Sequence, residues 1–100
     1  MRDRRGEAAA IFTSHGVLDA TTTVLAARVV GLDAEANPVV RELLAVGEVA
    51  TVLGMCACVA VAALAWPIAA DALETPEWVG LGIATIGAVV AAVNLVVVFA

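Results

Sequence analysis

The sequence predicts an all-α integral membrane bundle of three transmembrane helices, the first two forming an antiparallel hairpin. Three observations predict it. The chain is 63% hydrophobic with a mean hydropathy of +1.04, well above the roughly 45–50% apolar content of an ordinary soluble domain. Its 100 residues make one domain, with too little interior to hide that much apolar surface from water. The charged residues gather at the ends of three apolar stretches, each near the roughly 20 residues that a bilayer core requires.

The chain opens on "MRDRRGE", a polar, arginine-bearing start. The apolar run behind it, "AAAIF", is cut at Thr13 to Asp19. It is too short for the core of a signal peptide, so the N-terminus is expected to be retained. Span one is expected over about 8–30, with Gly31 placed to end it. The loop 31–37 is short enough to force a hairpin. Asn37 is suited to cap the next helix and Pro38 to occupy its first position, where a missing N–H costs nothing.

Span two is expected over about 38–66, stopped by Pro67, with a loop over 67–75. Thr75 and Pro76 repeat the cap-then-proline device, and Glu77 falls in the first turn, where the helix dipole favours a carboxylate. Span three covers about 76–100. Trp66 and Trp78 flank the second loop, as interfacial tryptophans do.

Arg2, Arg4 and Arg5 precede span one, Arg28 and Arg41 flank the first loop, and the second loop has no basic residue. This bias predicts a cell-membrane protein with a cytoplasmic N-terminus. Five basic residues against ten acidic ones exclude the basic footprint that nucleic-acid binding needs. The arginine-only, Ala/Val-rich, acidic composition suits a prokaryote, and a halophile in particular. Cys56 and Cys58 point roughly 200° apart on a helix, so they cannot bridge or share one ion.

Span one carries the informative departure from hydrophobicity. On a helical wheel at about 100° per residue, His15, Asp19, Thr22 and Thr23 fall on one face. Arg28 lies opposite, near the end, where it can snorkel. Thr21 is expected to bond back to its own helix. Glu48 in span two and Asn94 in span three lie at depths that can meet this stripe, and Gly80, Gly87 and Asn94 line up at successive sevens. A carboxylate at the centre of a membrane helix costs about 2.5–3.5 kcal/mol even on the lenient insertion scale. Asp19 should therefore face His15, the threonines, Glu48 or water. His15, Asp19, Thr22, Thr23, Glu48 and Asn94 form the candidate ion or polar site.

The segments "HGVLDATTT" and "GLDAEANPVVRELL" together carry a D-x-x-T-T … E-x-N-P pattern. Over residues 15–44 the chain resembles an uncharacterised family of small polytopic prokaryotic membrane proteins, a domain of unknown function with many halophile members. The pattern matches Asp19, Thr22, Thr23, Glu35, Asn37, Pro38 and Arg41. The resemblance implies architecture and marks positions, and implies no activity. Glu35 either steadies the loop, pairing with Arg41, or folds over the mouth of the polar stripe to complete a cation site.

The reading that follows is an interaction or scaffold subunit in the lipid bilayer, self-associating or joining a larger membrane complex. The alternative is an ion- or proton-binding protein using Asp19 and Glu48, with a cation as its partner. No enzyme is expected. The chain has no nucleophile elbow, no H-E-x-x-H and no glycine-rich phosphate loop, and adjacent Ser14 and His15 diverge by about 100° on a helix. No catalytic residue, cofactor or metal is assigned.

Overall fold

The computed structural model describes residues 3–100; Arg2, one of the basic residues used to orient the chain, lies outside them. The described residues form helices and no strand, within 45 × 26 × 17 Å. The first three segments make one unbroken rod. Helix α1 (Arg5–Ile11) passes into a π-helical segment, Phe12–Leu18, and then into α2 (Asp19–Val30), with α-helical dihedrals at both junctions. Sequence periodicity predicts a plain α-helix here. The wider π turns re-aim the side chains of Ser14 and His15, and such segments concentrate at functional sites. Gly31 ends the rod at φ +88°, where its N–H still bonds the Ala27 carbonyl at 2.9 Å.

The chain then makes a short 3₁₀ turn, Leu32–Ala34, and enters α3 (Pro38–Val46). The expected cap is present: Asn37 Oδ1 accepts from the N–H groups of Val39 (3.0 Å) and Val40 (3.4 Å), with Pro38 at the first helical position.

The expected single span over 38–66 is replaced by two helices. Gly47 takes φ +154°, a conformation open to glycine alone, and α4 (Glu48–Ala72) starts beyond it. Thr51 secures this restart by bonding the Gly47 carbonyl through both its hydroxyl (2.8 Å) and its N–H (3.0 Å). Helix α3 folds back on α4, with Leu43 seated at Gly54, where an added Cβ would stand 3.0 Å from its methyl carbons.

Pro67 does not stop α4, which runs on to Ala72. The helix carbonyl that loses its donor belongs to Ala63, which packs in the core with Ile11 and Ala84; a small residue there leaves room for the proline ring. The expected loop 67–75 is correspondingly shorter. A Schellman turn ends α4: Glu74 takes φ +52°, the Thr75 N–H bonds Ala70 O at 2.9 Å, and the Glu74 N–H bonds Asp71 O at 3.1 Å. Thr75 does not cap the last helix. Pro76 occupies that place without a side-chain hydrogen bond, and α5 (Glu77–Phe99) begins with Glu77 in its first turn.

Facing residues give the register. Arg28, Gly16 and Glu7 of the rod meet Glu48, Val59 and Trp66 of α4, so the two run in opposite directions. Glu7 meets Gly80 and Ser14 meets Gly87, so α5 runs alongside the rod in the same direction. The rod thus lies between α4 and α5. Close approach depends on the two glycines. At Gly87 an added Cβ would fall 2.8 Å from both His15 Cδ2 and Ser14 Oγ. Gly87→Ala should therefore destabilise the bundle by about 1–2 kcal/mol, read as a lower midpoint in thermal unfolding; an unchanged midpoint would show that the contact yields freely.

Among the described residues two helices, α4 and α5, rather than the three expected, are long and apolar enough to cross a membrane, and 17% of the most apolar stretch of each is buried within the chain. Leu53, Val61, Leu64 and Ile68 on α4, and Ile86, Val89, Val93 and Val96 on α5, point away from the core.

Candidate functional site

Asp19, Thr22 and Thr23 share the inward face of α2 by their spacing of three and four residues. Asn94 of α5 reaches across to all three. Its Nδ2 lies 3.0 Å from Thr22 Oγ1, 3.2 Å from Thr23 Oγ1 and 3.4 Å from Asp19 Oδ1. Thr23 in turn donates to Asp19 Oδ1 at 3.1 Å, and Thr22 donates to the Leu18 carbonyl at 2.7 Å. Asp19 is the one ionisable member of this knot, and it is half-buried while both threonines are buried. Thr21, on the outer face, bonds back to Val17 O at 2.7 Å.

His15 does not pair with Asp19. Its Nε2 bonds the Ile83 carbonyl of α5 at 2.7 Å. A carbonyl has no proton to give, so Nε2 carries the hydrogen and Nδ1 is the ring position that gains or lacks a proton. Glu48 does not join the stripe either. Its carboxylate pairs with Arg28 at 2.6 Å, in an exposed position. Arg28 lies nine residues beyond Asp19, about 13 Å along an α-helix, and the break at Gly47 places Glu48 beside it.

The loop residues hold one another. Arg41 donates through Nε (3.1 Å) and Nη2 (2.8 Å) to the backbone carbonyl of Glu35, not to its carboxylate, and Glu35 Oε1 accepts from the Asn37 N–H at 3.0 Å. Glu35 is left facing a cleft of about 250 Å³ that Thr23 and Asn94 also line. His15, Asp19, Asn37, Met55 and Cys58 line a second cleft of about 240 Å³. Members of the polar knot thus line two clefts, Thr23 and Asn94 the first and Asp19 the second. Among the described residues no group of three His, Cys, Asp or Glu is placed to hold a metal ion.

A second polar cluster escaped the sequence reading. Arg4, one of the basic residues that precede span one, is 5% exposed. It donates to Asp71 Oδ1 (2.7 Å), to Glu7 Oε1 (3.1 Å) and to the Thr75 carbonyl. Glu7, 3% exposed, also accepts from Trp66 Nε1 at 3.1 Å, and Gly80 leaves room for both. Of the two tryptophans, only Trp66 turns inward; Trp78 is exposed. The i, i+3 spacing of Arg4 and Glu7 was the available signal. Nearby, the Arg5 guanidinium bonds Asp3 and holds that exposed carboxyl at about 2, below its ordinary 3.8.

The model of one protein family, described as Domain of unknown function (DUF5658), matches residues 10–100. No curated protein and no solved structure matches the chain.

Proposed function

The chain belongs to the DUF5658 family, and on that premise we propose that it is a small multi-pass membrane protein serving as an interaction or scaffold subunit. One observation carries this reading: the outward faces of α4 and α5 are almost wholly aliphatic, while hydrogen-bonding groups turn toward the central rod. In water that arrangement exposes far more apolar surface than a monomer tolerates. In lipid it is the low-energy one, and helix association then rests on small residues and interhelical hydrogen bonds, as at Gly80, Gly87 and Asn94. The rod is the third crossing in this reading, its polar groups shielded by its two neighbours. Arg4 and Arg5 at one end suit a cytoplasmic N-terminus in a prokaryotic cell membrane, and the acidic balance suits high salt.

Spin labels at Val61 and Val89 of protein reconstituted in liposomes should be open to oxygen and closed to a water-soluble relaxation agent; the reverse pattern would exclude membrane insertion. Crosslinking in native membranes should then trap a homo-oligomer or a fixed partner, and a strictly solitary chain would overturn the scaffold role.

A second reading, ion or proton binding, is favoured by Asp19 lining a cleft together with His15. It loses Glu48, which Arg28 holds elsewhere, and rests on Asp19 with Glu35.

A further inference from the structure

We propose that Asp19 is a reversible proton-binding site, loaded from the cleft that it lines with His15, and that its occupancy sets how firmly Asn94 holds α5. The inference rests on the membrane reading for the exclusion of bulk water around the knot.

Three features converge on Asp19. The first is an open acceptor. Both hydrogen bonds that Asp19 accepts through its side chain, from Thr23 and from Asn94, fall on Oδ1. Among the described residues Oδ2 has no protein donor, yet no buried side-chain oxygen is left unpartnered. Oδ2 is therefore accessible, and it is the atom free to take a proton.

The second is access. Asp19 itself lines the cleft that holds His15, which at about 240 Å³ has room for several water molecules. Thr23 and Asn94, which grip Asp19, line the separate cleft that Glu35 faces.

The third is the setting. The π-helical segment ends at Asp19 and carries His15, whose proton-accepting Nδ1 belongs to a ring on the second cleft. The titratable groups around Asp19 are thus His15 from the rod, Glu35 from the loop and Cys58 from α4. Helices α3 and α5 bring the neutral Asn37 and Asn94.

Loading is a simple transfer. A hydronium in the cleft that Asp19 lines breaks one O–H bond, a new O–H forms on Asp19 Oδ2, water is left behind, and the site goes from −1 to neutral. Thr23 and Asn94 then donate to a neutral acid instead of a carboxylate. Hydrogen bonds to an ionised acceptor are roughly twice as strong as neutral ones, so the hold on α5 slackens as the proton binds.

The test is carboxyl carbon NMR of the full chain in lipid nanodiscs, with Asp19 assigned through the Ala20 amide so that no variant is needed. We expect the Asp19 signal to titrate and the Asn94 side-chain amide to move along the same curve. An Asp19 signal that stays constant across the range where exposed carboxylates and histidine titrate overturns the proposal. So does an Asn94 amide that ignores Asp19. A static Asp19 in inserted protein sinks this site alone, whereas spin labels that stay in water sink the membrane reading.

Discussion

Replacing Arg4 with alanine should lower the midpoint of thermal unfolding by roughly 15 °C, the largest effect expected of any single substitution here. Arg4 ties three separate parts of the chain: Glu7 in α1, Asp71 near the end of α4, and the Thr75 carbonyl in the turn before α5. Its removal strands Glu7, which is 3% exposed and would keep only the Trp66 indole as a donor. An uncompensated buried charge costs far more than the net worth of the pair that contained it. The double variant Arg4→Met with Glu7→Gln should regain much of the loss, because neither charge is then left alone. Equal losses in the single and double variants would show that the clasp contributes through packing and not through charge.

The second large effect is expected at Asn94. Asn94→Leu removes the one group from α5 that reaches Asp19, Thr22 and Thr23 together. It leaves a carboxylate with a single side-chain donor and sets an aliphatic branch against three oxygens. Interhelical hydrogen bonds in membranes average only about 0.6 kcal/mol each, but a partly buried carboxylate deprived of a donor adds its own desolvation. The sum should be about 2–3 kcal/mol, measured as lost stability in reversible detergent unfolding. Asn94→Gln, which keeps the amide but lengthens the stem, should lose less. If Asn94→Leu unfolds at the wild-type midpoint, α5 is held by its glycines alone and the knot contributes nothing to docking.

Thr22 and Thr23 sharpen the distinction between a clamp and a site. Their hydroxyls are satisfied from both directions, since each accepts from Asn94 while donating to Leu18 O or Asp19 Oδ1. The threonines are therefore fixed scaffolding. Asp19, with one oxygen engaged and one open, is the member left free to react.

The helical class, the wealth of apolar surface, the termination at Gly31 and the cap at Asn37–Pro38 follow from the sequence, because each depends on residues within a few positions of one another. The polar face of α2 was legible for the same reason: three residues at helical spacing must share a side of the helix. Asn94 was legible as a polar residue in an apolar helix, with few other groups to satisfy it. Three other features were decided only by tertiary structure. Gly47 could have continued a helix or broken it, and the packing of Leu43 on Gly54 goes with the break. Glu48 could have faced Asp19, and once the helix restarted beyond Gly47 it met Arg28 instead. Arg4 entered the sequence argument only as an orienting charge before the first span, and its partners Asp71 and the Thr75 carbonyl lie about seventy residues away along the chain. Local spacing sets which groups share a face; which partner a charge finds is a contest among distant groups, settled only when the helices pack.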